Sequence, residues 1–510
     1  IEVSPHDADV VYHGSQYVHK TMDGGINWET ISPDLTAFRP ERQVASGWPI
    51  TRDITGEEHY SVLYVIEESP VQEGVIWTGA NDGPVHLSRD GGANWTDVTP
   101  PMPPEGRIQT IDPSPHDPAK AYVAAYRYLL GDFEPYLFKT EDYGQTWTRL
   151  TDGANGIPAY YPTRVVREDP DAPGLLYAGT EFGIFISFDD GDHWQSFQLN
   201  LPVTPITDIR MYRQDLVLST MGRSFWVMDD VTPLHEIRDG GRRGDHHLFT
   251  PANTYRLRSV SGGLGFGGPD PSAPRYSPNG AFIDYVVGPE GGEVTLQILG
   301  MGGEVIRTFR GGGTGMQSRT TQGMRAPQMR SSGTPRLDPS PGMHRFLWDL
   351  RVEVPGGRSG PMALPGDYQA RLTIGAWSQT KSFKVMMDPR VEADGVTMDD
   401  LRAQFDFNLR VAELSGAAND LAARVEDAMG SGRFSGGALE QLQEVQAAMV
   451  DAGGSYPQPM FLNQIRYLQG MTGRADQRPG NFAYSRLDEL STQLAELTNR
   501  VHEITGGEDR

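Results

Sequence analysis

Short apolar and alternating segments dominate the first half of the chain. Examples are residues 62–66, 107–111 and 164–167, each followed by a Ser-Pro or Asp-Pro pair. Runs of this length, bounded by turn residues, predict β-strands. From Thr397 onward, apolar residues recur at steps of three and four, which predicts amphipathic helices. The pattern therefore predicts a mainly β chain with a helical C-terminal region.

Two signals repeat within the first 235 residues. The first is a proline followed seven residues later by an aromatic residue, in the pairs Pro5 and Tyr12, Pro70 and Trp77, Pro115 and Tyr122, and Pro170 and Tyr177. The second follows each pair and reads Ser/Thr-x-Asp-x-Gly-x-x-Trp. Its Asp, Gly and Trp positions are Asp23, Gly25 and Trp28; Asp90, Gly92 and Trp95; Asp142, Gly144 and Trp147; and Asp189, Gly191 and Trp194. Units of about 45 to 65 residues with four short strands each are typical of propeller blades.

The second signal has a structural explanation. An Asp side chain accepts hydrogen bonds from backbone N–H groups further along a turn. Gly supplies the positive φ that such a turn needs, and Trp buries a large apolar surface over the hairpin. We therefore expect these twelve residues to stabilise hairpin turns at the outer rim, without a catalytic role.

A fifth, degenerate unit covers residues 206–230 and is interpreted as the last blade. Four to five blades are thus visible, and propellers of this type usually need more. We therefore expect blades N-terminal to Ile1, in the remainder of the same protein or in a partner chain.

The repeats resemble the Asp-box, or bacterial neuraminidase, repeat. The first 235 residues, and the segment 222–234 above all, resemble bacterial proteins with sortilin-like ectodomains, many of which are labelled glycosyl hydrolases. The resemblance implies a large exported protein that is secreted, periplasmic or at the cell surface of a bacterium. The cysteine-rich modules of animal sortilins have no counterpart here, so a cargo-receptor role is not implied.

Three further regions follow residues 1–235. Residues 236–275 are predicted to be a linker; their Gly263 to Gly268 stretch formally matches a dinucleotide fingerprint, but Pro269 and Pro271 follow where a helix is required. Residues 276–390 are predicted to form an immunoglobulin-like β-sandwich, with Trp348 in its core. Residues 391–510 are predicted to form an antiparallel helical bundle, with a helix start at Thr397 and later helices near 437–452, 459–471 and 483–504.

The segment 311–336 is rich in Gly, Ser and Met and carries four arginines: Arg319, Arg325, Arg330 and Arg336. It is too long for a hairpin turn. Two interpretations stay open, a flexible insertion and a contact segment for an acidic neighbour.

Composition narrows the possible functions. The net charge is −23, the sequence pI is about 4.9, and there is no cysteine. An acidic chain repels phosphate backbones, so nucleic acid is not an expected partner. Disulfides and thiolate chemistry are excluded. No apolar run is long enough to span a bilayer, and no metal or cofactor motif is present.

Candidate site residues are few at this stage. Arg107 and Arg164 begin predicted inner strands and, with Arg223, could line the axial channel; catalytic residues are not identified. The sequence favours an exported binding or scaffold protein that docks a protein or glycan. The alternative is a glycoside hydrolase at a propeller mouth or between two propellers, which paired carboxylates on neighbouring inner strands would favour.

Overall fold

The computed structural model describes residues 1–43, 60–240, 246–258, 277–311, 336–355, 358–451 and 458–506. The chain forms two compact units, Ile1–Gly241 and Arg242–Arg510. The glycine-rich stretch 263–268 and almost all of the segment 311–336 lie outside the described residues, so both interpretations of that segment stay predictions.

Five antiparallel sheets make up the first unit, each built from consecutive strands, and we call them blades 1 to 5. Blade 1 contains β1 (Glu2–Val3), β2 (Val11–Gly14), β3 (Val18–Thr21) and β4 (Glu29–Thr30); blade 2 contains β5 (Leu63–Glu68), β6 (Ile76–Ala80), β7 (Val85–Ser88) and β8 (Thr96–Asp97). Blade 3 contains β9 (Arg107–Pro113), β10 (Ala121–Arg127), β11 (Asp132–Thr140) and β12 (Thr148–Arg149); blade 4 contains β13 (Thr163–Glu168), β14 (Leu176–Thr180), β15 (Gly183–Ser187) and β16 (Gln195–Ser196). Blade 5 contains β17 (Ile206–Tyr212), β18 (Asp215–Thr220) and β19 (Phe225–Met228).

The first strand of each blade lies innermost. β5 contacts β9, β9 contacts β13, and β13 contacts β17, so successive blades pack side by side through their first strands. Strands β6, β14 and β15 are buried along their whole length between the neighbouring sheets. This strand order and packing give the unit a propeller-like fold. A short helix, α1 (Thr232–Arg238), follows blade 5.

The second unit begins with two sheets that share one core. The three-stranded sheet has the order β20 (His247–Leu248), β22 (Ala281–Val287), β25 (Gly342–Trp348). The five-stranded sheet has the order β21 (Thr254–Tyr255), β29 (Trp377–Met386), β28 (Gly366–Ile374), β23 (Val294–Leu299), β24 (Val305–Arg310), and a separate pair is β26 (Arg351–Val354) with β27 (Arg358–Met362). Trp348 is fully buried in the common core. The immunoglobulin-like assignment stays a prediction.

The predicted linker differs from the structure. Residues 247–248 and 254–255 lie inside the predicted linker 236–275, yet they are strands of the two sheets. Each strand is only two residues long, so it leaves no alternation that could be recognised in the sequence.

Five helices complete the second unit: α2 (Pro389–Ala393), α3 (Met398–Gly430), α4 (Gly437–Met449), α5 (Phe461–Gly473) and α6 (Asn481–Thr505). α3 begins at a capping box, in which the Thr397 side chain accepts from the Asp400 N–H and the Asp400 side chain accepts from the Thr397 N–H. In the described part of the chain, no helix is both long and apolar enough to cross a membrane.

A buried ionic contact links the helices to the sheets of the second unit. The Asp476 carboxylate accepts hydrogen bonds from Arg256 and Arg258, and Gln404 of α3 also contacts Arg258. The predicted boundary between residues 390 and 391 is therefore no division in packing, since both regions belong to one compact unit.

Candidate functional site

The four repeat turns have the same hydrogen bonds. In each turn, the first Ser or Thr accepts from the Gly N–H at 2.9 to 3.1 Å. The Asp carboxylate accepts from the backbone N–H four residues later at 2.8 to 2.9 Å. The Asn94 and Thr146 side chains also donate to Asp90 and Asp142, and these side-chain bonds, together with the backbone bonds, lower the pKa of both carboxyls below the usual range. The turns join the third and fourth strands of their blades and do not reach the axis.

The tryptophans of blades 2, 3 and 4 connect neighbouring blades. Trp95 donates its indole N–H to the Ile31 carbonyl at 2.9 Å, Trp147 to that of Val98 at 2.8 Å, and Trp194 to that of Leu150 at 3.1 Å. Each acceptor lies in the preceding blade. The sequence predicts that each Trp covers only its own hairpin. In the structure, these three indoles also bond to the preceding blade, so they stabilise the packing of one blade on the next.

Charged side chains from all five innermost strands meet at the axis. We call this group the axial cluster: Glu2 of β1, Glu67 of β5, Asp112 of β9, Arg167 of β13, and Asp208 and Arg210 of β17. Arg167 is its centre, since one guanidinium nitrogen lies 3.0 Å from Asp112 and the other 3.0 Å from Asp208. One arginine thus bridges carboxylates on the strands to either side of its own.

Glu67 is a weakly compensated carboxyl of the axial cluster. Its side chain is 16% exposed, and its nearest cation, Arg210, is 3.9 Å away. Burial raises the pKa of Glu67 to about 7, opposed by the charge of Arg167 and reinforced by Glu2. Arg210 also lies 3.3 Å from Asp208, so one guanidinium stands between Glu67 and the Asp208 carboxylate. Glu67 and Asp208 therefore lie on either side of the Arg210 guanidinium.

A second group lies toward the N-terminal ends of the same inner strands, and we call it the mouth cluster: Tyr64, Arg107, Tyr126, Tyr128 and Arg164. The Tyr126 and Tyr128 rings stack with centroids 4.8 Å apart. Arg107 lies 4.9 Å over the Tyr64 ring and donates to the Tyr126 hydroxyl at 2.8 Å. Arg164 lies 5.4 Å over the Tyr126 ring and pairs with Glu181 at 2.5 Å. A cavity of about 270 Å³ adjoins the mouth cluster and is lined by residues including Tyr60, Arg107 and Tyr126.

The three arginines proposed for the channel are not all together. The structure places Arg107 and Arg164 on neighbouring strands, with the Tyr126 ring between them. Arg223 lies in the exposed turn between β18 and β19, where its backbone carbonyl accepts from Trp226. Arg223 therefore does not join the other two.

Gln109 lies between the two clusters on β9. Its amide nitrogen approaches the Tyr64 hydroxyl at 3.4 Å. Its amide oxygen is buried and accepts no hydrogen bond from any described residue. A buried acceptor without a donor is unfavourable, so the hydrogen bonding of Gln109 is incomplete among the described residues.

Sequence reasoning missed the axial cluster. Glu67, Asp112, Arg167 and Asp208 are charged residues within otherwise apolar inner-strand segments, which was the available signal. Their convergence depends on the position of each residue along the axis, which cannot be predicted from the sequence of a single strand. Among the described residues, no group of three or more His, Asp or Glu side chains could hold a metal ion.

Strand order, blade packing and an axial charge cluster define a mainly β, propeller-like protein. No family model matches the chain. A probable oligoxyloglucan-reducing end-specific xyloglucanase from Neosartorya fischeri is 24% identical over a 244-residue alignment, which covers 42% of this chain and 28% of that protein. The match thus spans less than a third of the relative.

Two solved structures show a looser likeness. The GH74 xyloglucanase from Xanthomonas campestris is 14% identical with a TM-score of 0.34, over 74% of this chain and 57% of that one. An ancestral GH74 enzyme is 16% identical with a TM-score of 0.33, over 60% and 37%. Because both TM-scores are low, the evidence for the propeller-like fold is the strand order and packing described above.

Proposed function

We propose that the first unit carries the site of a glycoside hydrolase-like protein, with Glu67 as the proton donor. The observation that carries this proposal is the pKa of about 7 for a buried carboxyl at the axis. A carboxylic acid with this pKa is protonated near neutral pH and can donate to the leaving oxygen of a glycosidic bond. The sequence alone favours a binding protein, whereas carboxylates on neighbouring inner strands favour a hydrolase.

The second carboxylate in this proposal is Asp208. It is 40% exposed and pairs with Arg167 at 3.0 Å and with Arg210 at 3.3 Å. Glycosidases place two carboxyl groups about 5 to 9.5 Å apart, on either side of the scissile bond. Glu67 and Asp208 both pair with the guanidinium of Arg210, at 3.9 and 3.3 Å.

The mouth cluster supports a sugar as the ligand. Tyrosine faces bind the apolar faces of sugar rings by stacking, and Tyr64 of the mouth cluster is 48% exposed. The similarity to a probable xyloglucanase makes xyloglucan oligosaccharides the first substrate to test. An exported location is part of the same proposal, because an extracellular polysaccharide has to be met outside the cell.

The test is hydrolysis of xyloglucan oligosaccharides by the full-length protein, followed by the release of reducing ends. We expect Glu67→Gln to lower the rate by about 10²- to 10⁴-fold, the usual contribution of a general acid. The matched control is Glu73→Gln, since Glu73 is exposed. A folded Glu67→Gln protein that hydrolyses at the wild-type rate would contradict the proposal, and so would a wild-type protein inactive on the whole oligosaccharide panel.

Glycan binding without hydrolysis is the second candidate, and the mouth cluster favours it independently of Glu67. Calorimetric titration with the same oligosaccharides separates the two functions. A pure binding protein would bind oligosaccharide without turnover, would lose affinity in Tyr64→Ala, and would keep it in Glu67→Gln.

A further inference from the structure

The three interfaces between blades 1 and 2, 2 and 3, and 3 and 4 follow one rule. In each, the residue directly after the outer strand of one blade accepts from the repeat tryptophan of the next, and these acceptors are Ile31, Val98 and Leu150. The side chain of that same residue also packs against the repeat glycine of the next blade. A Cβ atom added to the glycine would lie 2.8 Å from Ile31 at Gly92, 2.6 Å from Val98 at Gly144, and 2.7 Å from Leu150 at Gly191.

The repeat turn of blade 1 has the same local structure without this partner. Its Asp23, Thr21 and Gly25 make the standard hydrogen bonds. Among the described residues, the Trp28 indole donates only to the Gly25 carbonyl of its own turn, at 3.1 Å. Trp95 makes the same bond to the Gly92 carbonyl, at 3.0 Å, in addition to its bond to Ile31. A Cβ atom on Gly25 would meet only the Trp28 ring of the same turn.

Apolar side chains surround this turn and face solvent. Trp28 is 46% exposed, Met22 62% and Ile26 82%, whereas Trp194 in blade 4 is 4% exposed. Large exposed apolar patches are characteristic of interaction surfaces. Here, the three internal interfaces supply a template for what covers the patch.

We propose that the repeat turn of blade 1 docks a further propeller blade. The docked blade presents an aliphatic residue directly after its outer strand. Its side chain packs on Gly25, and its carbonyl accepts from the Trp28 indole, as Ile31, Val98 and Leu150 do within the unit.

A second copy of this chain does not fit the same surface. Ile31, Val98 and Leu150 are already engaged inside the unit. The equivalent residue of blade 4, Phe197, is aromatic and packs with the core shared by blades 4 and 5. None of these four positions is free to meet Gly25 of another molecule.

The first test compares glycine variants in the full-length protein. Gly25→Ala places a Cβ atom in the proposed contact, while Gly24→Ala is the matched control, since Gly24 also has a positive φ and open space around it. Gly92→Ala and Gly91→Ala give the reference pair for an interface that is present. We expect Gly25→Ala to lower the thermal midpoint more than Gly24→Ala, by a margin comparable to that of the reference pair. Equal midpoints for Gly25→Ala and Gly24→Ala, with a clear difference in the reference pair, would overturn the proposal.

A second test measures the solvent accessibility of the Trp28 indole by oxidative footprinting and mass spectrometry of the full-length protein. We expect Trp28 to be oxidised at a rate similar to that of Trp147, which the preceding blade contacts. Oxidation of Trp28 several-fold faster than Trp147 would overturn the proposal. Protection that disappears on dilution would also overturn it, because the occupant would then be a second copy.

Discussion

At the scale of single residues, Glu67 shows how position along a strand sets chemistry. Its neighbour Glu68 points the other way, where it accepts from the Tyr12 hydroxyl and the Gly74 N–H. Successive side chains on a strand face opposite sides, so two adjacent glutamates have different surroundings. Glu68 stabilises packing between blades, and Glu67 is left at the axis with a distant cation.

The raised pKa of Glu67 predicts a pH-dependent stability. Between pH 4.5 and about 7, the folded protein keeps a proton that the unfolded chain releases, so stability falls as pH rises through this window. Glutamine carries no charge at any pH. We therefore expect Glu67→Gln to gain stability over wild type between pH 5 and pH 8, by about 1 to 3 kcal/mol at 1.4 kcal/mol per unit of pKa.

Urea unfolding at the two pH values measures this difference. Glu73→Gln serves again as the control and should follow wild type at both. Parallel behaviour of Glu67→Gln and wild type across the window would show that Glu67 is not protonated in the fold.

At the scale of elements, the repeat turn joins sheets as well as strands. Its Ser or Thr and its Asp satisfy backbone N–H groups inside the hairpin, while Trp and Gly meet the preceding blade. Four of the five hairpins share these hydrogen bonds, yet only three of those four indoles reach a neighbouring blade. The local motif and the contact it makes are therefore separable.

Trp147→Phe tests this inter-blade role. The change keeps an aromatic ring but removes the N–H that bonds to the Val98 carbonyl at 2.8 Å. We expect a loss of about 0.5 to 1.5 kcal/mol in the free energy of unfolding, the usual net value of one hydrogen bond. Trp226→Phe is the comparison, because Trp226 donates within its own exposed turn. Equal losses of unfolding free energy in the two variants would show that the inter-blade hydrogen bond contributes no more than a bond within one turn.

At the scale of the whole molecule, two compact units contain what the sequence divides into four regions. In the second unit, Asp476 lies after α5 and is 3% exposed, with Arg256 and Arg258 from the segment after β21 around it. Burial lowers the pKa of Arg256, and the charge of Asp476 opposes that shift. The helices and sheets of this unit therefore share one buried ion pair and should unfold together.

Asp476→Asn tests this coupling. Removing one partner of a buried ionic contact leaves two guanidinium groups uncompensated, at a cost of about 3 to 5 kcal/mol. We expect calorimetry to show a lower transition temperature for the second unit and an unchanged one for the first. Asp488→Asn is the control, since its pair with Arg410 is exposed and should contribute about 1 kcal/mol or less. Equal shifts in Asp476→Asn and Asp488→Asn would contradict this coupling.

The prediction of strands and helices from the sequence succeeded where the determinants were local. The repeat turns are held by hydrogen bonds within a few residues, and the α3 start by a capping box between Thr397 and Asp400. Period two and period 3.6 each require only neighbouring side chains, so most strands and all four long helices lie close to their predicted positions. The two short strands in the predicted linker have no such local signal.

The sequence by itself therefore determined the mainly β composition, the repeated hairpins and the helical C-terminal region. Only the tertiary structure decided which side chains meet. Successive members of the axial cluster are about 40 to 65 residues apart along the chain: Glu2, Glu67, Asp112, Arg167 and Asp208. They converge because each lies at the same depth on an innermost strand. The same holds for Trp28, whose turn matches the others in sequence but lacks the neighbouring blade among the described residues. Local hydrogen bonds form between residues that are close in the sequence, so the sequence determines them. Burial and charge pairing at the axis depend on the packing of all five sheets.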